Sequence, residues 1–213
     1  MAIEKLAIIG ASGHGKVVAD AALCSGWDEV IFFDDAWPEL SKVGIWKVIG
    51  NTRKLLEQGE NIGKVVVAIG NNAIRLEKQQ SLQIANIPLA TIIHPSAIIS
   101  PFSEIGSGSV VFAGAVINPF AQIGSGCIIN TGSSIDHDCW IADGVHISPG
   151  AHLGGNVHVG RATWLGIGTS VKHGIHIGEN VIVGAGAAVV NDIASGLTVV
   201  GVPAREITIK IHA

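Results

Sequence analysis

From Ile123 to Ile141 the chain reads Ile-Gly-Ser-Gly-Cys-Ile-Ile-Asn-Thr-Gly-Ser-Ser-Ile-Asp-His-Asp-Cys-Trp-Ile. Isoleucine returns at every sixth residue, at Ile123, Ile129, Ile135 and Ile141. The beat extends both ways, because stepping by six from Ile93 to Val189 meets only Ile, Leu or Val. A second series lies four residues after each of these. It runs through Ala97, Ser103, Ser109, Ala115, Ala121, Cys127, Ser133, Cys139 and Val145 and on to Ile193, all small or β-branched.

A period of six matches neither the 3.6 of a helix nor the 2 of a plain strand. It matches a parallel β-helix in which each hexad supplies one short strand and one turn. Three hexads close one triangular coil, so equivalent residues of successive coils stack at about 4.8 Å. The aliphatic series fills the prism and the small series lies inward beside it. Glycine often follows the aliphatic, as at Gly106, Gly124, Gly160, Gly166, Gly178 and Gly184, and is read as the residue of a tight corner. The chain is expected to turn out of the coils at Asn191–Gly196, to bend at Gly201–Arg205 and to end in a short edge strand over Glu206–Ile211.

The N-terminal part follows another pattern. Lys5–Ile9 reads as a buried parallel strand running into Gly10-Ala-Ser-Gly-His-Gly-Lys16, after which Val17–Cys24 has helical character. Glu29–Phe33 is a second strand ending in Asp34-Asp35, and Lys64–Ile69 is a third, followed by a helix to about Ile84. Strands alternating with helices predict a small α/β Rossmann-like domain over residues 1–90, with the β-helix domain over 91–213. The loop Gly10–Gly15 sits where a strand meets a helix N-terminus, which suits a phosphate, and Asp34 is placed for a ribose. The spacing is G-x-x-G-x-G rather than the dinucleotide G-x-G-x-x-G, and one mononucleotide half argues against NAD.

The net charge of −4 gives no reason to expect nucleic acid or an anionic membrane as partner. No transmembrane run or signal peptide is read, so the expectation is a bacterial cytoplasmic protein without membrane insertion. Cys127 and Cys139 fall on inward positions and are read as packing thiols.

Four histidines, His146, His152, His158 and His176, share one position of the hexad. Of these only His158 and His176 stack on successive coils, and the residue one coil before them is Trp140. No metal site is therefore expected, although a zinc hydratase on such a scaffold is a rival reading. An ice-binding β-helix is disfavoured by the lack of a regular Thr array. His137 differs, lying in Ile135-Asp-His-Asp-Cys-Trp140 between two carboxylates, either of which could hold one ring nitrogen and leave the other as a base.

The glycine loop, the Asp-Asp pair, Asn130-Thr131, His137-Asp138, His146-Ile-Ser-Pro-Gly-Ala151 and the closing Gly201-Val-Pro-Ala-Arg205 occur in one order. Together they resemble the sialic-acid O-acetyltransferase-like and bacillosamine-type nucleotide-sugar N-acetyltransferases. These are hexapeptide-repeat, left-handed β-helix acyltransferases. The resemblance implies the left hand, an acetyl-CoA co-substrate, and transfer to the 4-amino group of a nucleotide-linked 4-amino-4,6-dideoxy sugar, UDP being the expected nucleotide. O-acetylation of a sugar is the alternative. It implies His137 as general base oriented by Asp138, with Asp136 left open for that role. Asn130 and His146 would lie beside the thioester, Gly155, Ile167 and Ala185 along the pantetheine groove, and Pro203 to Arg205 near the nucleotide end of CoA. Gly10, Ser12, Gly13, His14, Gly15, Asp34 and Asp35 would hold the nucleotide sugar. Ala36 stands where such proteins often carry a polar or basic residue. His137 and His146 are half a coil apart and face different ways in one prism, so a shared site demands an oligomer, expected to be a homotrimer.

Overall fold

The computed structural model describes residues 5–207. The chain divides into two compact units. One runs to Pro95 and takes in Ser107–Val110; the other holds Ser96–Gly106 and the residues from Val111 on.

In the first unit β1 (Lys5–Ile9) is flanked in parallel by β2 (Glu29–Phe33) and β5 (Lys64–Val67). β4 (Trp46–Gly50) runs parallel to β2, and β3 (Lys42–Val43) pairs antiparallel with β4. The order is β3-β4-β2-β1-β5, which makes the apolar run Leu6–Ile9 an interior strand with both of its faces buried. Three helices complete the unit: α1 (Gly13–Cys24), α2 (Thr52–Leu56) and α3 (Asn72–Ile84). Asn51 and Asn71 cap α2 and α3, each side chain accepting from a backbone amide two positions inside the helix, at 2.9 and 3.1 Å. Two features depart from the sequence reading. The β3–β4 hairpin has no counterpart in the sequence reading, because β3 is only two residues long and Trp46–Gly50 carries no clear alternation. α1 begins at Gly13 rather than Val17, since a glycine is required inside its first turn: a Cβ on Gly15 would collide with the Gly10 carbonyl.

The second unit is the β-helix. Two-residue strands recur every six residues from Ile98–Ile99 to Ala188–Val189 and stack as three parallel sheets, the faces of a prism. The first face carries Ile128–Ile129, His146–Ile147 and Trp164–Leu165. The second carries Ser134–Ile135 and His152–Leu153, and the third Trp140–Ile141, His158–Val159 and His176–Ile177. The second residue of each strand points inward, so the six-residue series is one continuous core, buried from Val111 onward. Ile93, at the first coil, is 38% exposed. Cys127 and Cys139 are buried free thiols in this core, and burial pushes the Cys139 thiol up.

The corners differ from expectation in detail. The glycines directly after the aliphatic have ordinary backbone angles. They are small because a Cβ would strike the next coil, as at Gly106 and Gly160, where it would lie 2.5 Å from a backbone carbon of that coil. The left-handed residue comes two positions later. It is glycine at most corners, as at Gly132 and Gly150, and Phe120, Asp138 (φ 58), Asn156, Ala162 or Asn180 at the others. Nor does the chain leave the coils at Asn191–Gly196. Ile193 bridges to Ile177, Thr198–Val199 pairs with Ile182–Val183, and Arg205–Glu206 folds back antiparallel on Val199–Val200. The rest of the expected edge strand, beyond Ile207, lies outside the described residues.

Candidate active site and nucleotide pocket

His137 stands on the edge between the second and third faces. Its Nδ1 donates to Asp138 Oδ2 at 2.7 Å, as it must toward an ionised carboxylate that can only accept. Asp136 takes a different part: its Oδ1 accepts from the His137 backbone amide and from Asn118 Nδ2, both at 2.8 Å. The geometry thus separates the two acids that the sequence left as alternatives. Asp138 reaches the ring because it occupies the left-handed turn position, which folds its side chain back over the preceding residue. The hydrogen bond to Asp138 and the charge of Asp136 both raise the His137 pKa above its ordinary 6.5. The Asn118 amide and the His137 N–H hold Asp136 below the usual carboxylate range. The ring is 59% exposed and rests on Gly155, where a Cβ would lie 2.6 Å from both Cε1 and Nε2. One nitrogen is therefore anchored and the other is presented to the surface.

A second polar cluster lies on the first face and its following edge. Asn130 Nδ2 and His146 Nε2 are 3.3 Å apart. The His146 ring stacks on Trp164 with centroids 5.6 Å apart and planes 3° from parallel, and Trp164 Nε1 donates to buried Ser148 Oγ at 2.8 Å. Ile167 and Ala185 succeed each other on the same edge, both exposed, so an apolar strip runs along the coil stack there.

In the first unit the loops after β1, β2 and β5 converge at the carboxyl ends of their strands, where open α/β sheets bind ligands. They enclose a pocket of about 270 Å³ lined by Gly10, Ser12, Asp34, Asp35, Gly70 and Lys78 among others. Asp34 ties two of the loops, accepting from the Ala11 amide at 2.7 Å and the Ala36 amide at 2.9 Å. Asp35 accepts from the Thr52 amide at 2.9 Å and from Lys78 Nζ at 2.6 Å. Burial alone would raise the Asp35 carboxyl, but Lys78 and Thr52 outweigh it and hold it below the usual range.

Comparison with known proteins fits both halves. Residues 5–82 match the PglD N-terminal domain family, and residues 120–155 match the bacterial transferase hexapeptide (six repeats) family. The acetyltransferase domain of PglB from Neisseria gonorrhoeae, solved in complex with acetyl coenzyme A, superposes with a TM-score of 0.92. It is 41% identical over 97% of this chain and 100% of that one. The chain belongs to the bacillosamine-type nucleotide-sugar N-acetyltransferase family. Perosamine N-acetyltransferase from Caulobacter crescentus, solved as a histidine-to-asparagine mutant with CoA and GDP-perosamine, is 35% identical with a TM-score of 0.92, covering 97% of this chain and 98% of that one. UDP-N-acetylbacillosamine N-acetyltransferase from Bacillus subtilis is 39% identical over 111 residues, a match that spans about half the length of each chain. The β-helix of this family is left-handed, against the right-handed preference of parallel crossovers.

Within this family architecture the residues of the second unit singled out from sequence fall into three places. His137, Asp138 and Gly155 share one edge of the prism. Asn130, Ile167 and Ala185 share another, with His146 on the adjoining face. Pro203 and Arg205 are exposed on the closing bend, the Arg205 guanidinium donating to the Ala204 carbonyl. Of the nucleotide set, Gly10, Ser12, Asp34 and Asp35 line the pocket. Gly13 opens α1, and Gly15 packs under Gly10. His14 turns toward the interior, where burial and then the Arg75 charge lower its pKa to about 4. Sequence reading missed Trp164, Ser148 and Lys78. The coil rule could have found Trp164, one coil beyond His146, whereas no local signal marks Lys78.

His158 and His176 stack at 4.5 Å with planes 4° apart, and Trp140 continues the column. Face-to-face rings do not converge their lone pairs on one point. Among the described residues no group of three His, Cys, Asp or Glu side chains lies together as a metal site, and no helix is long and apolar enough to cross a membrane.

Proposed function

We propose that this protein transfers the acetyl group of acetyl-CoA to the 4-amino group of a UDP-linked 4-amino-4,6-dideoxy sugar in surface glycan biosynthesis. The observation that carries the reading is the His137 ring, anchored at Nδ1 by Asp138 and exposing Nε2 above a glycine. His137 Nε2 accepts the proton that the sugar amine loses as its nitrogen bonds to the acetyl carbon. The carbon–sulfur bond breaks with its electron pair on sulfur, and the proton passes from His137 to give the free thiol. Asp138 stabilises the imidazolium formed in between, without itself being protonated. No acyl-enzyme is required, since an amine attacks a thioester directly and the nearest thiol, Cys139, is buried.

The strip of Ile167 over Ala185 suits a pantetheine arm, and the pair Asn130–His146 suits the thioester end of the groove. Because these groups and His137 occupy different edges, the site is completed by packing one prism against another, in a homotrimer with three equivalent clefts. The first unit holds the nucleotide. UDP is favoured by the likeness to the Bacillus subtilis relative, and GDP is the comparison arm because the Caulobacter relative was solved with GDP-perosamine.

His137→Ala tests the reading. Turnover should fall by about 10²–10⁴ under conditions where chemistry limits the rate, while acetyl-CoA binding stays within a few-fold. Normal turnover in that variant discards the mechanism. A thermal-shift series with acetyl-CoA and with UDP- and GDP-linked amino sugars identifies the ligands, since a true one raises the melting temperature by mass action.

A further inference from the structure

Lys78 apart, the polar groups that line the nucleotide pocket are backbone groups, a hydroxyl and two carboxylates, although the ligand assigned to it is an anion. Asp34 and Asp35 both line it. Unopposed, two carboxylates repel a diphosphate. One cation lines the same pocket, Lys78 from the middle of α3. Its side chain is 20% exposed and is held by a single partner among the described residues, Asp35 Oδ2 at 2.6 Å. An ammonium carries three N–H donors, so the bond to Asp35 leaves two for a ligand in the pocket that Lys78 lines. The neighbouring cation of α3, Arg75, is spoken for. It is 1% exposed and its guanidinium donates to the Ile69 and Gly70 carbonyls and to Asn72, so it shapes the loop after β5 from beneath.

We infer that Lys78 is a nucleotide-binding residue whose ammonium, positioned by Asp35, donates to an oxygen of the nucleotide in this pocket. The inference rests on the nucleotide reading of the first unit and adds to it the group that reverses the pocket's sign. Asp35 has two tasks in this arrangement. It fixes the direction of a long flexible side chain, and it lowers the cost of keeping an ammonium half-desolvated before the ligand arrives. A surface ion pair by itself contributes little to folding, so replacing Lys78 should spare the fold and be felt in binding.

The test uses the full chain with Lys78→Met, which keeps the length and removes the charge, and Lys78→Arg, which keeps the charge. Binding of UDP, GDP, uridine, guanosine and acetyl-CoA is measured by titration calorimetry, and KM and kcat are measured with the nucleotide sugar. Lys78→Met should weaken binding of the nucleoside diphosphate that the wild type prefers by about tenfold or more, as loss of a charged hydrogen bond does. Lys78→Arg should recover most of it. KM for the nucleotide sugar should rise with kcat and acetyl-CoA affinity unchanged. A loss confined to the diphosphate places the contacted oxygen on phosphate, and an equal loss with the nucleoside places it on the base or ribose. Wild-type affinity in Lys78→Met, or a loss that Lys78→Arg does not recover, overturns the inference while leaving the nucleotide reading in place. A wild-type protein that binds no nucleotide overturns both.

Discussion

The two units build their sites in opposite ways. In the first, three loops from the ends of adjacent parallel strands meet at one point, so glycine backbone, two carboxylates and a lysine are gathered inside a single fold. In the second, the repeat sets every side chain at a fixed height and direction, and the candidate groups stand on two edges of a prism that face apart. A Rossmann-type half concentrates chemistry by convergence of loops. A β-helix can only stack it in columns, and it needs a second prism to bring two columns together. The lesson is that the first site should survive dilution to single chains and the second should not.

The largest effect that would sharpen this contrast comes from Gly155→Ala. Its backbone is not in the left-handed region, so alanine fits the coil. The new methyl meets the exposed end of the His137 ring, which can swing away at little cost to folding. A base displaced by about 1 Å should lose on the order of 10²-fold in kcat, with the melting temperature and nucleotide binding essentially unchanged. A smaller effect follows from Asp138→Asn. His137 acts as a base only when neutral, so kcat/KM should rise with pH through its pKa, which in the wild type lies above the ordinary value because Asp138 and Asp136 favour the charged ring. Removing one of these charges lowers that pKa, so the acid limb of the profile should move to lower pH. The plateau should fall by about tenfold as the ring loses its anchor. An acid limb that stays in place would assign the titration to another group.

The β-helix was legible because its core is a one-dimensional pattern: Ile129, Ile135, Ile141 and Ile147 need no distant partner to be recognised as inward. Asp138 stands at the left-handed corner position, which glycine fills at most corners and Phe120, Asn156, Ala162 and Asn180 fill at others. Aspartate is among the few residues that adopt this conformation readily, and here its side chain accepts from His137. The glycines that often follow the aliphatic stand, as expected, where little side chain is tolerated, but the contact that excludes one is not local. They yield to the next coil's backbone, a contact eighteen residues away, as between Gly106 and Gly124. Lys78 and Asp35 are 43 residues apart, and nothing in a helical stretch of alternating charge distinguishes a residue over a pocket from one in solvent. His14, expected among the nucleotide-binding residues, is largely buried near Arg75 and does not itself line the pocket, a burial that a glycine loop does not announce in sequence.

The central claim is that His137 of one protomer works with Asn130 and His146 of another. Two inactive proteins test it most directly: His137→Ala, and a double variant carrying Asn130→Ala and His146→Ala, assayed at limiting acetyl-CoA. After denaturation and refolding together in equal amounts, random assembly should leave about a quarter of the interfaces with both intact edges. The mixture should then regain about a quarter of wild-type activity, although each variant refolded alone stays inactive. A mixture no more active than its parents would contradict a site shared between protomers.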